Sequence, residues 1–124
     1  MSEAAMRLAK VYDGRDAAGR PVVSRPALNP PLREPLLAYL AAAPVVLAAR
    51  SRAEDEFAPG ERDVPLTYHT DGTWIWAGSV PHYLRKHDLA PDPALVRHIV
   101  ARGFRLAEVD EAAKDRAVAV ITGP

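Results

Sequence analysis

Apolar residues recur at helical spacing in four stretches of the chain, and β-rich runs flank one tight reversal. The first helical stretch, "PLLAYLAAA" from Pro35, places Leu36, Leu37 and Leu40 on one side and is stopped by Pro44. Proline suits the first turn of a helix and cannot continue one. Before it, "SRPALNPPLREP" (24–35) carries four prolines. Each restricts itself and its predecessor, so the segment reads as extended linker. After it, "VVLAA" (45–49) opens with two β-branched residues and reads as a central strand. The charged stretch "RSRAEDEFAPGERD" (50–63), with Pro59-Gly60 inside it, reads as an exposed loop. Three more helices are expected. One follows Ser79 as N-cap, with Val80, Tyr83, Leu84 and His87 on one side. One follows Asp92-Pro93, with Leu95, Val96, Ile99 and Val100 inward and Gly103 as its stop. The last follows Asp110, with Ala113, Ala117, Val120 and Ile121 inward. Near the N-terminus, "MRLAKVYDG" fits either a strand or a short helix, and "DGRDAAGRPVV" fits a turn between two extended pieces.

The reversal is "VPLTYHTDGTWIWA" (64–77), where Asp71-Gly72 separates two β-rich runs. A two-residue Asp-Gly turn fixes register: Thr70 faces Thr73, His69 faces Trp74, Tyr68 faces Ile75 and Thr67 faces Trp76. Residues opposite one another share a face. Leu66, Tyr68, Ile75 and Ala77 then form an ordinary core face. Thr67, His69, Trp74 and Trp76 form the other, carrying both tryptophans of the chain. A strand tryptophan is more often packing than contact surface. Left open to solvent, however, an indole pair with a histidine suits partner binding.

Helices and strands do not alternate regularly. The expected class is therefore α+β: a small, mainly antiparallel sheet with a central hairpin (about 65–77), packed by about four helices. A length of 124 residues suits a single globular domain over 1–124, with the extended segment at 24–35 and the loop at 50–63.

Composition narrows the chemistry. There is no cysteine, which excludes disulfides, thiolate metal sites and cysteine nucleophiles, and which fits a cytoplasmic setting. Lys and Arg number 16, as do Asp and Glu. A balanced chain lacks the electrostatic footprint of a general nucleic-acid binder. No apolar run approaches the roughly 18 residues of a membrane span. Glu3, and the lack of a long apolar stretch behind it, do not read as a secretory leader. The serines at 24, 51 and 79 lie in linker, loop and cap contexts, without a nucleophile-elbow pattern. No glycine-rich phosphate loop and no His-Glu-x-x-His motif is present. His82 and His87 are five apart, a spacing that diverges around a helix. "EDE" (54–56) reads as a solvated charge run. "YLRKH" (83–87), continued by Arg97, Arg102 and Arg105, gives a basic tendency on two helices.

The run "TDGTWIWAGSVPHYLRKHDLAPDPALVRHI" resembles small actinobacterial proteins of uncharacterised function with a T-D-G-x-W-x-W pattern, then a Tyr-Leu helix, then Pro-x-x-L-x-x-H-I. Some are encoded near secreted or polymorphic toxins. The resemblance implies an immunity-type protein partner and supplies no catalytic residue. The leading expectation is a non-catalytic, cytoplasmic protein-binding domain, an immunity-type or accessory partner of a toxin or enzyme. It would use His69, Asp71, Trp74, Trp76, Tyr83, Arg85 and Lys86, without cofactor, metal or membrane. One alternative is a small enzyme or ligand-binding domain with a pocket at the hairpin–helix junction, using His69, Asp71 or His82. Another is a nucleic-acid-binding accessory domain using the basic helices.

Overall fold

A computed structural model describes residues 6–123. Residues 1–5, including Glu3, and Pro124 lie outside the described residues. The chain runs through β1 (Arg7–Leu8), a small hairpin of β2 (Gly14–Arg15) and β3 (Pro21–Val22), and a 3-10 turn at Pro30–Leu32. It continues through α1 (Arg33–Ala42), β4 (Val45–Ala53), β5 (Val64–Thr70), β6 (Trp74–Ala77), α2 (Ser79–His87), α3 (Pro93–Ala101) and α4 (Glu111–Thr122). The larger sheet has the order β1-β6-β5-β4. β4 pairs with β5 and β5 with β6 in antiparallel fashion, whereas β1 pairs parallel with β6. Over the described residues the fold is α+β, with a mainly antiparallel sheet and four helices.

The hairpin forms with a different register from the one the sequence predicts. Thr70 pairs with Ile75, His69 with Trp76 and Tyr68 with Ala77. Every pairing has moved by two residues, because Gly72-Thr73 rather than Asp71-Gly72 forms the tip. Asp71 stands just before the turn, and its Oδ1 accepts from the Thr73 N–H at 2.9 Å and the Trp74 N–H at 2.8 Å. Gly72 adopts φ +94 at the first loop position, where a two-residue hairpin of this kind needs glycine. A slip of two keeps the pleat in phase, so both indoles remain on the side away from Ile75.

That side proves to be the main core face, and it is the face expected to be the less ordinary one. Trp74 and Trp76 pack with Leu36, Leu40, Leu84 and Ile99 of the three helices that follow or precede the hairpin. Trp76 is fully buried, and its Nε1 donates to the Leu40 carbonyl at 3.2 Å, so its polar handle is satisfied. Leu66, expected inward, is exposed, and Tyr68 and Ala77 are half-buried; of those four residues Ile75 alone is sealed, beside buried Thr70 and Val64 on the same side. α4 lies against β4, with Ala113 and Ala117 buried.

β4 is an edge strand rather than a central one, and it runs to Ala53, so the loop shrinks to 54–63. Arg50 and Arg52 read as loop residues because they are charged. On an edge open to solvent such side chains are tolerated in a strand. The extended segment before α1 is tied down by Arg25, whose side chain is only 3% exposed. Arg25 pairs with Asp13 and donates to the carbonyls of Ala90 and Lys10. Asp92 and Asp110 cap α3 and α4 as expected. Ser79 does not cap α2: Gly78 occupies that position, donating its N–H to the Thr67 carbonyl at 2.9 Å. A Cβ at Gly78 would collide with Thr67 Oγ1. The strand-to-helix corner is thus too close to β5 for any side chain.

Three substitutions check this packing. Trp76→Ala should cost about 3–5 kcal/mol in urea unfolding through lost burial and the cavity left behind. Gly78→Ala should cost about 1–3 kcal/mol through overpacking against β5, while Leu66→Ser should stay within about 0.5 kcal/mol.

Candidate functional site

Two buried carboxylates organise the polar chemistry of the molecule. Asp71, at the hairpin tip, is 3% exposed. Its Oδ1 holds the turn amides, and its Oδ2 accepts from Tyr39 Oη at 2.6 Å and His98 Nε2 at 2.8 Å. One residue therefore joins the hairpin to α1 and α3. Burial alone would raise its carboxyl, but the bonds from Tyr39, the Trp74 and Thr73 amides and His98 hold it below the usual carboxylate range. Tyr39 moves the opposite way, pushed up by burial and by its bond to Asp71.

Asp55 is fully buried, in the middle of the "EDE" run that the sequence presents as solvated charge. Its Oδ1 accepts from the Phe57 N–H at 2.8 Å, which fixes the start of the loop. Its Oδ2 lies 2.9 Å from His82 Nε2 and 2.8 Å from His87 Nε2. The two histidines do diverge around α2, yet a carboxylate inserted beside the helix reaches both. Burial works to raise the Asp55 carboxyl, and the two histidines with the Phe57 amide hold it well below its ordinary value. Around this centre, Lys86 Nζ contacts Asp63 at 2.7 Å, Glu61 at 3.3 Å and Asp55 at 3.6 Å. The Asp63 bond, followed by that to Glu61, drives the Lys86 ammonium above its usual range.

A pocket of about 290 Å³ opens at the hairpin–helix junction, beside this cluster. Arg52 of β4, Pro65 and His69 of β5, Asp63, and His82 and Arg85 of α2 line it. Among the described residues the guanidinium groups of Arg52 and Arg85 have no hydrogen-bond or ion-pair partner. His69 Nδ1 lies 2.9 Å from the Ala43 carbonyl and Nε2 lies 3.2 Å from Thr67 Oγ1, and its ring stacks on Trp76.

Of the residues expected to bind a partner, the structure brings His69 and Arg85 together at this pocket. Trp74, Trp76, Asp71 and Tyr83 are interior. Arg7 covers the Trp74 ring at 4.3 Å. Tyr83 lies among Phe57, Tyr12 and His87, and its hydroxyl accepts from the Glu56 N–H at 3.3 Å. Lys86 belongs to the Asp55 cluster instead of a basic ridge, since three carboxylates surround it. Sequence reasoning missed Asp55, Asp63 and Arg52. An acidic residue flanked by Glu54 and Glu56 carries no mark of burial. The available hint was the position of Phe57 and of two helix histidines requiring partners. No protein-family model matches the chain, and no curated protein or solved structure matches it either. No helix among the described residues is long and apolar enough to cross a membrane.

The carboxyl directions fix a pH dependence. A group with a depressed folded pKa contributes stability that is present above its unfolded value, about 3.9 for Asp, and lost as pH falls toward the lower folded value. The melting temperature should therefore drop as pH is lowered from about 5 toward 3. Asp71→Asn and Asp55→Asn should start lower at neutral pH and show a shallower acid slope. A slope that neither substitution changes would remove both carboxylates as its source.

Proposed function

We propose that the chain is a non-catalytic protein-binding domain that receives its partner along β4. The observation that carries this reading is the edge position of β4, a nine-residue strand with seven of its residues exposed although α4 packs against it. A strand edge presents unpaired N–H and C=O groups, and an extended segment of another chain can pair with them. Val45 and Leu47 on β4 are 49% and 39% exposed, and Leu66 on the adjacent strand is 38% exposed. Arg52 on β4 and Arg85 on α2, whose guanidinium groups have no partner among the described residues, line the adjoining pocket together with Asp63 and favour an acidic segment by charge complementarity. The tryptophans act as the foundation of the surface and not as its contacts. An immunity-type or accessory role in the cytoplasm accords with this surface, with the absence of cysteine and with the T-D-G-x-W-x-W resemblance.

A photo-crosslinking residue at position 47, in cells of the source organism, should capture one discrete protein. The same probe at exposed Val100 on α3 should not. Leu47→Asp should abolish the capture from a neighbouring β4 position while leaving stability within about 0.5 kcal/mol. Equal capture from both positions, or none, would discard the edge as the binding surface.

The pocket lined by two histidines and two arginines supports a second reading, a small-ligand domain for an acidic metabolite. Native mass spectrometry of the purified chain separates the two: a retained small molecule lost in Arg85→Ala favours the pocket, and a bare chain mass favours the edge.

A further inference from the structure

We infer that Asp55, Asp63 and His82 form a binding site for a divalent transition-metal ion, with Lys86 as the side chain that the ion displaces. Each of the three residues offers a ligand atom, and those atoms all lie within 4.8 Å of one another. Ligand atoms bound tetrahedrally at about 2.0–2.1 Å stand about 3.3 Å apart. His82 Nε2 stands 2.9 Å from Asp55 Oδ2 and 3.5 Å from Asp63 Oδ1, on either side of that spacing. His87 Nε2, 2.8 Å from the same Asp55 oxygen, is a further imidazole nitrogen beside the cluster. Imidazole nitrogens with carboxylate oxygens form the donor set of zinc and its first-row neighbours, whereas calcium and magnesium prefer oxygen alone.

The surroundings have the properties of a cation site. Asp55 is wholly buried, and its Oδ1 is anchored by the Phe57 amide, so Oδ2 is held in place. His82 lies on α2 immediately before Tyr83 and Leu84, which are packed inside. Two of the three ligands are therefore set by the fold, and only Asp63, on the half-exposed end of the loop, has freedom to close on the ion. The cluster already draws one positive charge: Lys86 Nζ reaches all three surrounding carboxylates. Lys86 is long and singly charged, and its neighbour Arg85 is exposed, so the ammonium can swing to solvent. An ion at the centre would replace the hydrogens that now bridge the ring nitrogen and the carboxylates. His82 would then bind through Nε2 with its remaining proton on Nδ1.

This site is independent of partner binding along β4, and its test needs no partner. The untagged full chain, stripped with chelator, is titrated with Zn²⁺ by calorimetry, and native mass spectrometry counts the ions. One equivalent should bind. Asp63→Asn, at a half-exposed position, and His82→Gln should each weaken binding at least tenfold. Lys86→Gln should strengthen it severalfold by removing the competing ammonium. Circular dichroism confirms that each variant is folded, and Asp63→Asn suffices should His82→Gln unfold. Overturning results are no stoichiometric Zn²⁺ on either the wild type or Lys86→Gln, or one equivalent whose affinity Asp63→Asn leaves unchanged.

Discussion

A single carboxylate, that of Asp71, holds the architecture together. Its two oxygens divide the labour: one closes the hairpin tip through backbone amides, the other ties Tyr39 of α1 and His98 of α3 to that tip. A buried charge is costly unless it is fully satisfied. Here every bond that satisfies it also positions an element. The turn sets the indoles toward the helices, the indoles fill the space between sheet and helices, and the Trp76 ring donates back to α1. The sheet's inner face exists in this form because a charge beneath it is held by four donors.

Asp55 repeats the device against α2, with a different result. It fastens a loop and not a turn, and its partners are side chains that could equally serve a ligand. Asp71 is closed on every side by the fold. Asp55 opens through Asp63 and Lys86 toward the pocket of Arg52 and Arg85. The two carboxylates thus mark a difference between a structural knot and a surface centre, even though both are desolvated.

Much of the fold is legible in the residues themselves. The Asp-Gly reversal, the caps at Asp92 and Asp110, the proline stops and the small N-terminal hairpin all carry local chemistry that survives in the folded chain. Which side the indoles share was legible too, because a shift of two preserves the pleat. The register was not, since Asp71 turns its side chain into the backbone and pushes the tip one residue on. The edge position of β4 was also hidden. Strand order is decided by long-range pairing, and Arg50, Ser51 and Arg52 have the composition of a loop. The candidate centres depend on contacts between residues 55 and 82, or 71 and 98, whose proximity no short window of sequence contains.

β4 carries one further implication. Its pairing with β5 is interrupted twice, between Val45 and Leu47 and between Ala48 and Arg52. Such irregularities twist an edge away from flatness. Two identical copies meeting edge to edge would set one pair of kinks and one set of arginines against another, which resists runaway stacking. The irregularity that spoils the ladder therefore also makes β4 a poor template for a second, identical β4.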